Sequence, residues 1–397
     1  MIYKQFKDKK LSYLGLGCMR LPTTAPRGPI DEPKARAIIE YAYENGVNYF
    51  DTAYRYLSGQ SEPFSASVLK QYPRDTWNLA TKMPGHQLEY KDGKISVTGY
   101  LTGETLHSLE QIFEDQLKRC QVDYFDFYLL HNVSDRSYDL YTDAQLGCIE
   151  FLLAQKKAGH IKHLGFSAHC GAETMEKFLS HSKQFYGDCF EFVQFQLNYM
   201  DWILYGADKT YDVVTKHGLD IIAMEPVRGG RLASLNDEAN ALLKKERPND
   251  SIASWAFRFL QTLPNMTVAL SGMTTMEQIV ENVALFQKEE PATEKEKELL
   301  RNIIEGTLDL VPCTSCEYCM EVCPQGLNIP RLLSFCNDIR LANPPLARID
   351  SLEDKEKHSA CVACGLCSPQ CPQGIDIPAA MKRFQEDYTK AKAKAGA

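Results

Sequence analysis

Short apolar runs alternate along the chain with stretches in which apolar residues recur every three or four positions. The first pattern is typical of buried β-strands and the second of amphipathic helices. Several helical stretches end at a glycine, a common helix stop, as at Gly46, Gly159 and Gly218. Eight runs are predicted as strands: residues 14–17, 47–50, 77–81, 125–130, 161–167, 192–196, 219–224 and 267–270.

Eight strands that alternate with helices predict a parallel (β/α)8 TIM barrel, an α/β fold. Before the first barrel strand, the apolar segments 3–6 and 11–16 flank a polar turn, which predicts a hairpin. Two cysteine-rich runs lie beyond the last helix of this pattern. We therefore divide the chain into a barrel domain, residues 1–305, and a smaller domain, residues 306–397.

Polar side chains stand at the carboxyl ends of the predicted strands, where barrels of this kind carry their chemistry. They are Asp51, Lys82, His131, Ser167, Gln194 and Glu225. One such residue alone is typical of a solvated cap or turn, and Asp51 by itself fits that interpretation equally well. Four of these strands, however, end in a titratable residue, and four independent strands that end in this way favour a functional site.

Tyr56 is a candidate proton donor at the same face of the barrel. Its free phenol has a pKa of about 10, which makes it a poor acid near neutrality, but an ammonium nearby lowers that pKa by roughly 1 to 3. Lys82 follows the next strand and can supply the ammonium, while Asp51 would hold Lys82 charged. With His131 to orient a substrate oxygen, the four side chains predict proton transfer to a carbonyl or from an alcohol.

Composition and charge narrow the classes of partner. The 397 residues carry a formal net charge of −8 with acids and bases interleaved, so neither nucleic acid nor an anionic membrane is expected to bind. The sequence has no 18-residue apolar run and no signal-peptide core near its start, which predicts a cytoplasmic protein. Eight of the 14 cysteines lie in two regular runs, a distribution that favours metal over disulfides.

Motifs through the first 290 or so residues resemble the aldo-keto reductases in order and interval. They are Phe50-Asp51-Thr52-Ala53-Tyr54-Arg55-Tyr56, Ala80-Thr81-Lys82, Tyr128-Leu129-Leu130-His131, Gly165-Phe166-Ser167, Gln194, and Ser271-Gly272 through Glu281-Asn282. The resemblance implies a barrel that binds a nicotinamide cofactor without a Rossmann fold. It also implies that Tyr56 is the general acid, tuned by Lys82 and Asp51, and that His131 orients the carbonyl that accepts hydride.

The same resemblance implies which residues contact the cofactor. Ser167 and Gln194 would hold the carboxamide, and the loop Gly229-Gly230-Arg231 would lie over the pyrophosphate. The adenosine end matches Ser271, Gly272, Gln278 and Asn282, and two methionines complete the predicted contacts, Met19 and Met224.

Two departures from the family pattern affect the cofactor prediction. Ala168 stands where an asparagine is common, and Met224-Glu225-Pro226 replaces an aromatic residue that often stacks on the nicotinamide, although methionine also packs on ring faces. Residues 266–286 contain no Lys or Arg to meet a 2′-phosphate, which favours NADH over NADPH. Arg228 and Arg231 are the alternative source of that charge.

The two cysteine runs share the spacing C-x2-C-x2-C-x3-C-P, which binds iron–sulfur clusters. In two-cluster proteins the fourth cysteine of each run ligates the other cluster. We therefore predict two 4Fe-4S clusters, one held by Cys313, Cys316, Cys319 and Cys371, the other by Cys323, Cys361, Cys364 and Cys367. Zinc knuckles and disulfides are the alternatives.

Both runs continue alike, into Gln-Gly-Leu-Asn-Ile-Pro at 325–330 and Gln-Gly-Ile-Asp-Ile-Pro at 373–378. This region resembles the all-helical ferredoxin domains of multi-subunit dehydrogenases, which implies an all-α ferredoxin-type domain. The remaining cysteines are predicted as small buried hydrophobes rather than reactive thiols: Cys18, Cys120, Cys148, Cys170, Cys189 and Cys336.

The leading hypothesis is an oxidoreductase that reduces an aldehyde or ketone, or oxidises the alcohol, with NADH or NADPH. A nicotinamide moves two electrons and a 4Fe-4S cluster one, so the clusters would serve exchange with a ferredoxin- or flavodoxin-like partner, redox sensing or structure. A ferredoxin-driven reductase without nicotinamide and a redox-sensing binding protein are the alternatives. The segment 83–103 is either a substrate lid or decoration.

Overall fold

The computed structural model describes residues 1–26, 28–91, 94–98, 103–315 and 317–395. Its strands are β1 (Tyr3–Phe6), β2 (Lys9–Ser12), β3 (Leu14–Gly17), β4 (Tyr49–Asp51), β5 (Asn78–Met83), β6 (Glu89–Lys91), β7 (Lys94–Thr98), β8 (Thr105–Leu106), β9 (Phe125–Val133), β10 (Ile161–Ala168), β11 (Phe192–Gln196), β12 (Asp220–Met224) and β13 (Met266–Ser271).

The α-helices begin with α1 (Glu32–Glu44), α2 (Ser61–Leu69), α3 (Leu109–Cys120), α4 (Tyr138–Thr142), α5 (Cys148–Ala158), α6 (Ala172–Tyr186), α7 (Tyr199–Leu204) and α8 (Ala207–Lys216). They continue with α9 (Asp237–Glu246), α10 (Ile252–Leu260), α11 (Met276–Leu285), α12 (Glu294–Asn302), α13 (Tyr318–Glu321), α14 (Ile329–Arg340), α15 (Leu346–Asp350) and α16 (Ile377–Ala395). None of the helices in the described ranges is both long and apolar enough to cross a membrane.

Eight parallel strands close into a barrel in the order β3-β4-β5-β9-β10-β11-β12-β13, and β13 pairs with β3 to complete it. The predicted (β/α)8 barrel is confirmed, and each barrel strand overlaps a run predicted from the sequence. All eight strands point their carboxyl ends the same way, so residues at those ends share one face.

The amino end of the barrel is filled by aromatic side chains. The predicted hairpin is confirmed as the antiparallel pair β1–β2, and its Phe6 packs against Phe127 and Phe192 with ring centroids 5.3 and 5.9 Å apart. Packing is so close beside β10 that a Cβ on Gly165 would lie 2.6 Å from the carbonyl oxygen of Phe192. Because aromatic side chains fill the amino end of the barrel, the carboxyl face is the end left for the predicted functional site.

The long connection after β5, predicted as a substrate lid or decoration, contains a small antiparallel sheet, β6-β7-β8, that the sequence analysis did not predict. Ile95 and Val97 are 5% and 3% exposed and alternate with polar residues, which is the period of a strand. We missed this signal because the run is short and flanked by glycines. The rest of the predicted lid, residues 92–93 and 99–102, lies outside the described residues.

Contacts divide the chain into two compact units. The first holds residues 1–198, 206–226 and 260–291, and the second holds residues 199–205, 227–259 and 292–397. In the second unit, α14 and α16 share an apolar core that includes Leu333, Phe335 and Phe384 with Cys319 and Cys367. The domain boundary at residue 305 stays a prediction.

Single cysteines are mostly buried, as predicted. Cys18, Cys120, Cys148, Cys189 and Cys336 are buried, whereas Cys170 is only half-buried. Burial raises the pKa of the Cys18 thiol to about 12, so it carries little thiolate near neutrality. The structure records no disulfide among the cysteines that it describes.

Candidate active site

An ion pair between neighbouring strands lies at the carboxyl face of the barrel. Asp51 ends β4, and Lys82 lies in β5, where Asp51 pairs in register with Ala80. The Lys82 Nζ donates to Asp51 Oδ1 at 2.7 Å, to Asp51 Oδ2 at 2.8 Å and to the Thr52 carbonyl at 2.7 Å. Lys82 is fully buried and Asp51 is 3% exposed, so each charge depends on the other.

Tyr56 and His131 lie beside this pair. The Lys82 Nζ lies 5.0 Å from the centroid of the Tyr56 ring, which is close enough for the ammonium to act electrostatically on the phenol. The rings of Tyr56 and His131 are 6.0 Å apart at an interplanar angle of 79°. The structure therefore brings together all four residues of the predicted proton-transfer group.

The charge state of this group follows from burial and the two charges. Burial raises the pKa of Tyr56 above its ordinary value, and the Lys82 ammonium only partly offsets that rise. The expected lowering by Lys82 is therefore present, but the net direction is upward. Burial alone would lower the pKa of Lys82, yet Asp51 and Tyr56 raise it above its ordinary value. At neutral pH the phenol keeps its proton beside a charged ammonium.

A buried polar network supports the strand that carries Lys82, and sequence reasoning missed it. Glu62 is fully buried, pairs with Arg119 and accepts hydrogen bonds from Thr81 Oγ1 and Gln116 Nε2. Gln116 Nε2 also donates to the Lys82 carbonyl at 3.2 Å. In the sequence, Glu62 is typical of an acidic residue in the first turn of a helix, so nothing local marks its burial.

Ser167, Gln194 and Met224 stand on three neighbouring strands at the same face. Ser167 Oγ accepts a hydrogen bond from the Asn132 N–H at 2.8 Å. Gln194 Nε2 lies 3.9 Å from Met224 Sδ, while Gln194 Oε1 is buried and has no hydrogen-bond partner among the described residues. A buried acceptor of this kind fits a ligand amide that donates a hydrogen bond.

The residues predicted for the adenosine end cluster where α11 follows β13. Asn282 Nδ2 donates to Ser271 Oγ at 3.1 Å, and Gln278 Oε1 caps the start of α11 by accepting from the Thr274 N–H at 2.7 Å.

Arg20, which the sequence prediction did not include, lies beside this cluster. A Cβ on Gly272 would meet the Arg20 side chain at 3.2 Å, and Met19 next to Arg20 is 55% exposed. The segment after β3 thus supplies a cation beside the predicted adenosine end, although residues 266–286 contain no Lys or Arg. Arg20 lies outside residues 266–286 and follows another strand, so the predicted preference for NADH did not include it.

The predicted pyrophosphate loop lies in the second unit and forms a tight turn. Arg228, Gly229 and Gly230 have positive φ angles of 47°, 64° and 96°. Arg231 pairs with Asp338 through two hydrogen bonds.

Arg228 is also engaged within the second unit. It pairs with Asp201, and its guanidinium carbon lies 4.6 Å from the centroid of the Tyr205 ring. Both arginines that were the alternative source of charge for a 2′-phosphate therefore hold carboxylates of the protein.

The cysteines surround two cavities of the second unit. One is lined by Cys313, Cys319 and Cys371. The other is lined by Cys323, Cys361, Cys364 and Cys367. Each cavity combines cysteines of one run with the last cysteine of the other, which fits the crossed pattern of two-cluster proteins. Cys316 lies outside the described residues.

The two runs also share an unusual backbone conformation. Ser315 and Glu317 have φ angles of 60° and 69°, and the equivalent Ala363 and Gly365 have 52° and 77°. Non-glycine residues rarely adopt positive φ, and such strain is often found at binding sites. Within the described ranges no three Cys, His, Asp or Glu side chains are arranged to hold a single metal ion.

Comparison with known proteins gives two family matches. The model of the aldo/keto reductase family matches residues 13–305, and that of the 4Fe-4S dicluster domain matches residues 312–375. The probable aldo-keto reductase 1 of Glycine max is 32% identical over 158 residues, which are 40% of this chain and 42% of that protein. The uncharacterized oxidoreductase YqkF of Bacillus subtilis is 23% identical over 299 residues, which are 70% of this chain and 87% of that protein.

Solved structures share the fold of the barrel. The holo form of aldo-keto reductase AKR11C1 from Bacillus halodurans has a TM-score of 0.58 at 24% identity and covers 76% of this chain and 96% of its own. An aldo-keto reductase from Klebsiella pneumoniae in complex with NADPH has a TM-score of 0.58 at 18% identity and covers 77% and 96%. This chain belongs to the aldo/keto reductase family and carries a 4Fe-4S dicluster domain in its carboxyl-terminal part.

Proposed function

We propose that the protein interconverts a small aldehyde or ketone and its alcohol with a bound nicotinamide, NADH or NADPH. The observation that carries this proposal is the Lys82 ammonium, which bonds both oxygens of Asp51 and lies 5.0 Å from the centroid of the Tyr56 ring. A protonated phenol held by a buried ammonium is suited to give a proton to an oxygen that gains negative charge.

Each member of the group has one task in the reduction. When bound, the nicotinamide supplies the hydride that the carbonyl carbon accepts. Tyr56 Oη gives its proton to the carbonyl oxygen, and Lys82 stabilises the phenolate that is left. His131, whose ring lies 6.0 Å from that of Tyr56, hydrogen-bonds the substrate oxygen and orients it. In alcohol oxidation the same phenolate takes the proton back.

The nicotinamide part of the proposal is supported by the unpartnered acceptor at Gln194 Oε1. A carboxamide offers an N–H2 group to that oxygen, and Ser167 and Met224 on the flanking strands complete the contact. The related enzyme from Klebsiella pneumoniae binds NADPH. Ser271, Gly272, Gln278, Asn282, Met19 and the Gly229–Arg231 loop are proposed to hold the remainder of the dinucleotide.

For the second unit we propose two 4Fe-4S clusters with the crossed cysteine sets, including Cys316. The clusters would exchange single electrons with a ferredoxin- or flavodoxin-like protein. Cys364 is exposed, and its neighbours Val362 and Leu366 are 60% and 56% exposed, which suits contact with another protein. A cytoplasmic location belongs to this proposal, because cluster thiolates persist in a reducing compartment.

The same exposed residues favour a second candidate, a reductase that takes its electrons from ferredoxin without nicotinamide. Reduced ferredoxin added to the anaerobic holo protein with a carbonyl panel distinguishes the two. Product formed only with ferredoxin supports this candidate, whereas product formed only with NADH or NADPH supports the first.

Anaerobic stopped-flow spectroscopy tests the proposed function directly. The holo protein is mixed with NADH or NADPH and a panel of aldehydes and ketones, and nicotinamide absorbance and the cluster band are followed. We expect nicotinamide oxidation that depends on both the carbonyl and Tyr56. Binding of neither nucleotide, or no oxidation with any carbonyl, would overturn the proposal.

A further inference from the structure

Two adjacent buried polar residues, Asn337 and Asp338, lie near the end of α14, each 4% exposed. The Asn337 side chain pairs with the backbone of Val311: its Nδ2 donates to the carbonyl oxygen and its Oδ1 accepts from the N–H, both at 2.8 Å. The Val311 carbonyl also accepts from the Cys313 N–H at 2.8 Å. Asn337 therefore fixes the backbone from which a proposed cluster ligand projects.

Asp338 holds the Gly229–Arg231 loop. Arg231 Nε and Nη2 donate to the two carboxylate oxygens of Asp338, the second at 2.9 Å. The Asp338 side chain is 6% exposed, and a buried carboxylate that loses its cation is strongly destabilised. The loop therefore cannot move away from α14 without exposing or neutralising Asp338.

A second contact ties the same turn to the same loop. Asn337 Nδ2 also donates to the Tyr205 hydroxyl at 3.1 Å. The Tyr205 ring lies under Arg228, which pairs with Asp201. One turn of α14 thus reaches the loop through Arg231 and through Tyr205, and it reaches the cluster-ligand backbone through Val311.

We infer that the Asn337–Asp338 turn couples the cluster held by Cys313, Cys316, Cys319 and Cys371 to nucleotide binding at the Gly229–Arg231 loop. This inference rests on the proposed function, in which that loop meets the pyrophosphate. Reduction adds a negative charge beside the backbone that Asn337 fixes. The turn passes this change to the loop through the Asp338–Arg231 pair, so reduction opposes binding of an anionic nucleotide there. Because coupling between two sites is reciprocal, the nucleotide in turn makes the cluster harder to reduce.

The coupling is measured with ADP-ribose and its 2′-phosphate, which contain the pyrophosphate but no redox-active ring. Anaerobic calorimetry gives their Kd for the holo protein with clusters oxidised and after reduction by dithionite. We expect reduction to weaken binding at least about fivefold. An EPR-monitored redox titration should show the midpoint potential of one cluster fall by about 40 mV with ligand, which is fivefold converted at 59 mV per decade.

The variant Asp338→Asn keeps the shape of the side chain and removes its charge. We expect it to bring the two Kd values within about twofold of each other while iron and sulfide contents stay unchanged. Asp309→Asn is the matched control, because Asp309 pairs with Arg340 and Arg383 in the same unit and is not part of the proposed coupling. Asn also tolerates the positive φ of 44° at that position.

Each outcome has one meaning. Equal Kd values in both redox states of the wild type, or an Asp338→Asn variant that keeps the full difference, overturn the coupling and leave the proposed function intact. If neither ADP-ribose probe nor NAD(P)H binds, the nicotinamide part of the proposed function fails and the coupling with it. If Asp338→Asn does not fold, the midpoint potential of the wild-type cluster, measured with and without ligand, still tests the coupling. A midpoint potential that the ligand does not change would reject it.

Discussion

The ammonium of Lys82 is bonded by both carboxylate oxygens of Asp51, at 2.7 and 2.8 Å, inside a barrel that leaves Lys82 with no exposed surface. Neither charge has another counter-ion in the recorded contacts. A buried ion pair of this kind contributes little net stability, but removing only one of its two charges is strongly destabilising. Its value lies in fixing the charge next to Tyr56.

Asp51→Asn should therefore impair both stability and turnover. Burial without the Asp51 carboxylate lowers the pKa of Lys82, which weakens the ammonium on which Tyr56 is proposed to depend. We expect urea unfolding to report a loss of about 3 kcal/mol. Asp126→Asn is the control, because it breaks a buried pair with Arg74 at the start of β9: it should cost stability and leave turnover per folded enzyme unchanged.

Tyr56→Phe should lower kcat by roughly 10² to 10⁴, the usual contribution of general acid catalysis. Nucleotide Kd should stay within about twofold, because the hydroxyl is assigned to the substrate oxygen rather than to the cofactor. Tyr49→Phe removes a hydroxyl that is buried in the barrel and has no hydrogen-bond partner in the described chain. A Tyr56→Phe enzyme as active as Tyr49→Phe would remove Tyr56 from the mechanism.

The pH profile of carbonyl reduction should have its falling limb in the alkaline range. In the proposed reaction the acid form of Tyr56 is the active one, and burial raises the pKa of Tyr56 above 10.0 despite Lys82. Activity is thus present below that pKa and is lost as the pH rises through it. Single-turnover rates at saturating nucleotide should stay level through neutrality and decline only above pH 10; a decline near pH 7 would assign the acid to another group.

Arg20→Ala should discriminate between the two nicotinamides. Arg20 packs against Gly272 beside Ser271 and Asn282, so its guanidinium is a candidate partner for a 2′-phosphate. A charged hydrogen bond contributes about 1.5 to 3 kcal/mol, which predicts at least a tenfold rise in Kd for NADPH with little change for NADH. Arg36→Ala, which removes a surface pair with Glu40, should alter neither Kd.

Paired cysteine substitutions should separate crossed from uncrossed cluster ligation. In the crossed arrangement Cys313→Ser with Cys371→Ser damages one cluster, whereas Cys361→Ser with Cys371→Ser damages both. Iron and sulfide counts with EPR after anaerobic reconstitution measure how many clusters form. Two damaged clusters from the first pair and one from the second would reverse the assignment.

Local pattern was sufficient to predict much of this molecule. A strand that is buried on both faces must be apolar along its length, so β9 and β11 were visible in the sequence. Because all strands of a parallel barrel end at one carboxyl face, the predicted barrel also predicted that Asp51, Tyr56 and Lys82 lie close together.

Features that depend on distant partners could not be predicted from local pattern. Glu62 looks like a solvated first-turn acid, and only the fold brings Arg119 and Gln116 to it. Arg20 lies beside Gly272 in the fold, although the two residues are far apart in the sequence. The upward net pKa of Tyr56 depends on how deeply the phenol is buried, and residue spacing carries no measure of that depth.

The contacts around the Lys82 amine have a further consequence for the proposed reaction with aldehydes. An amine condenses with a carbonyl compound only through its lone pair, and a nitrogen kept protonated by Asp51 and turned toward Thr52 has none to offer. In the proposed reaction, aldehyde substrates would therefore not be trapped at Lys82 as imines.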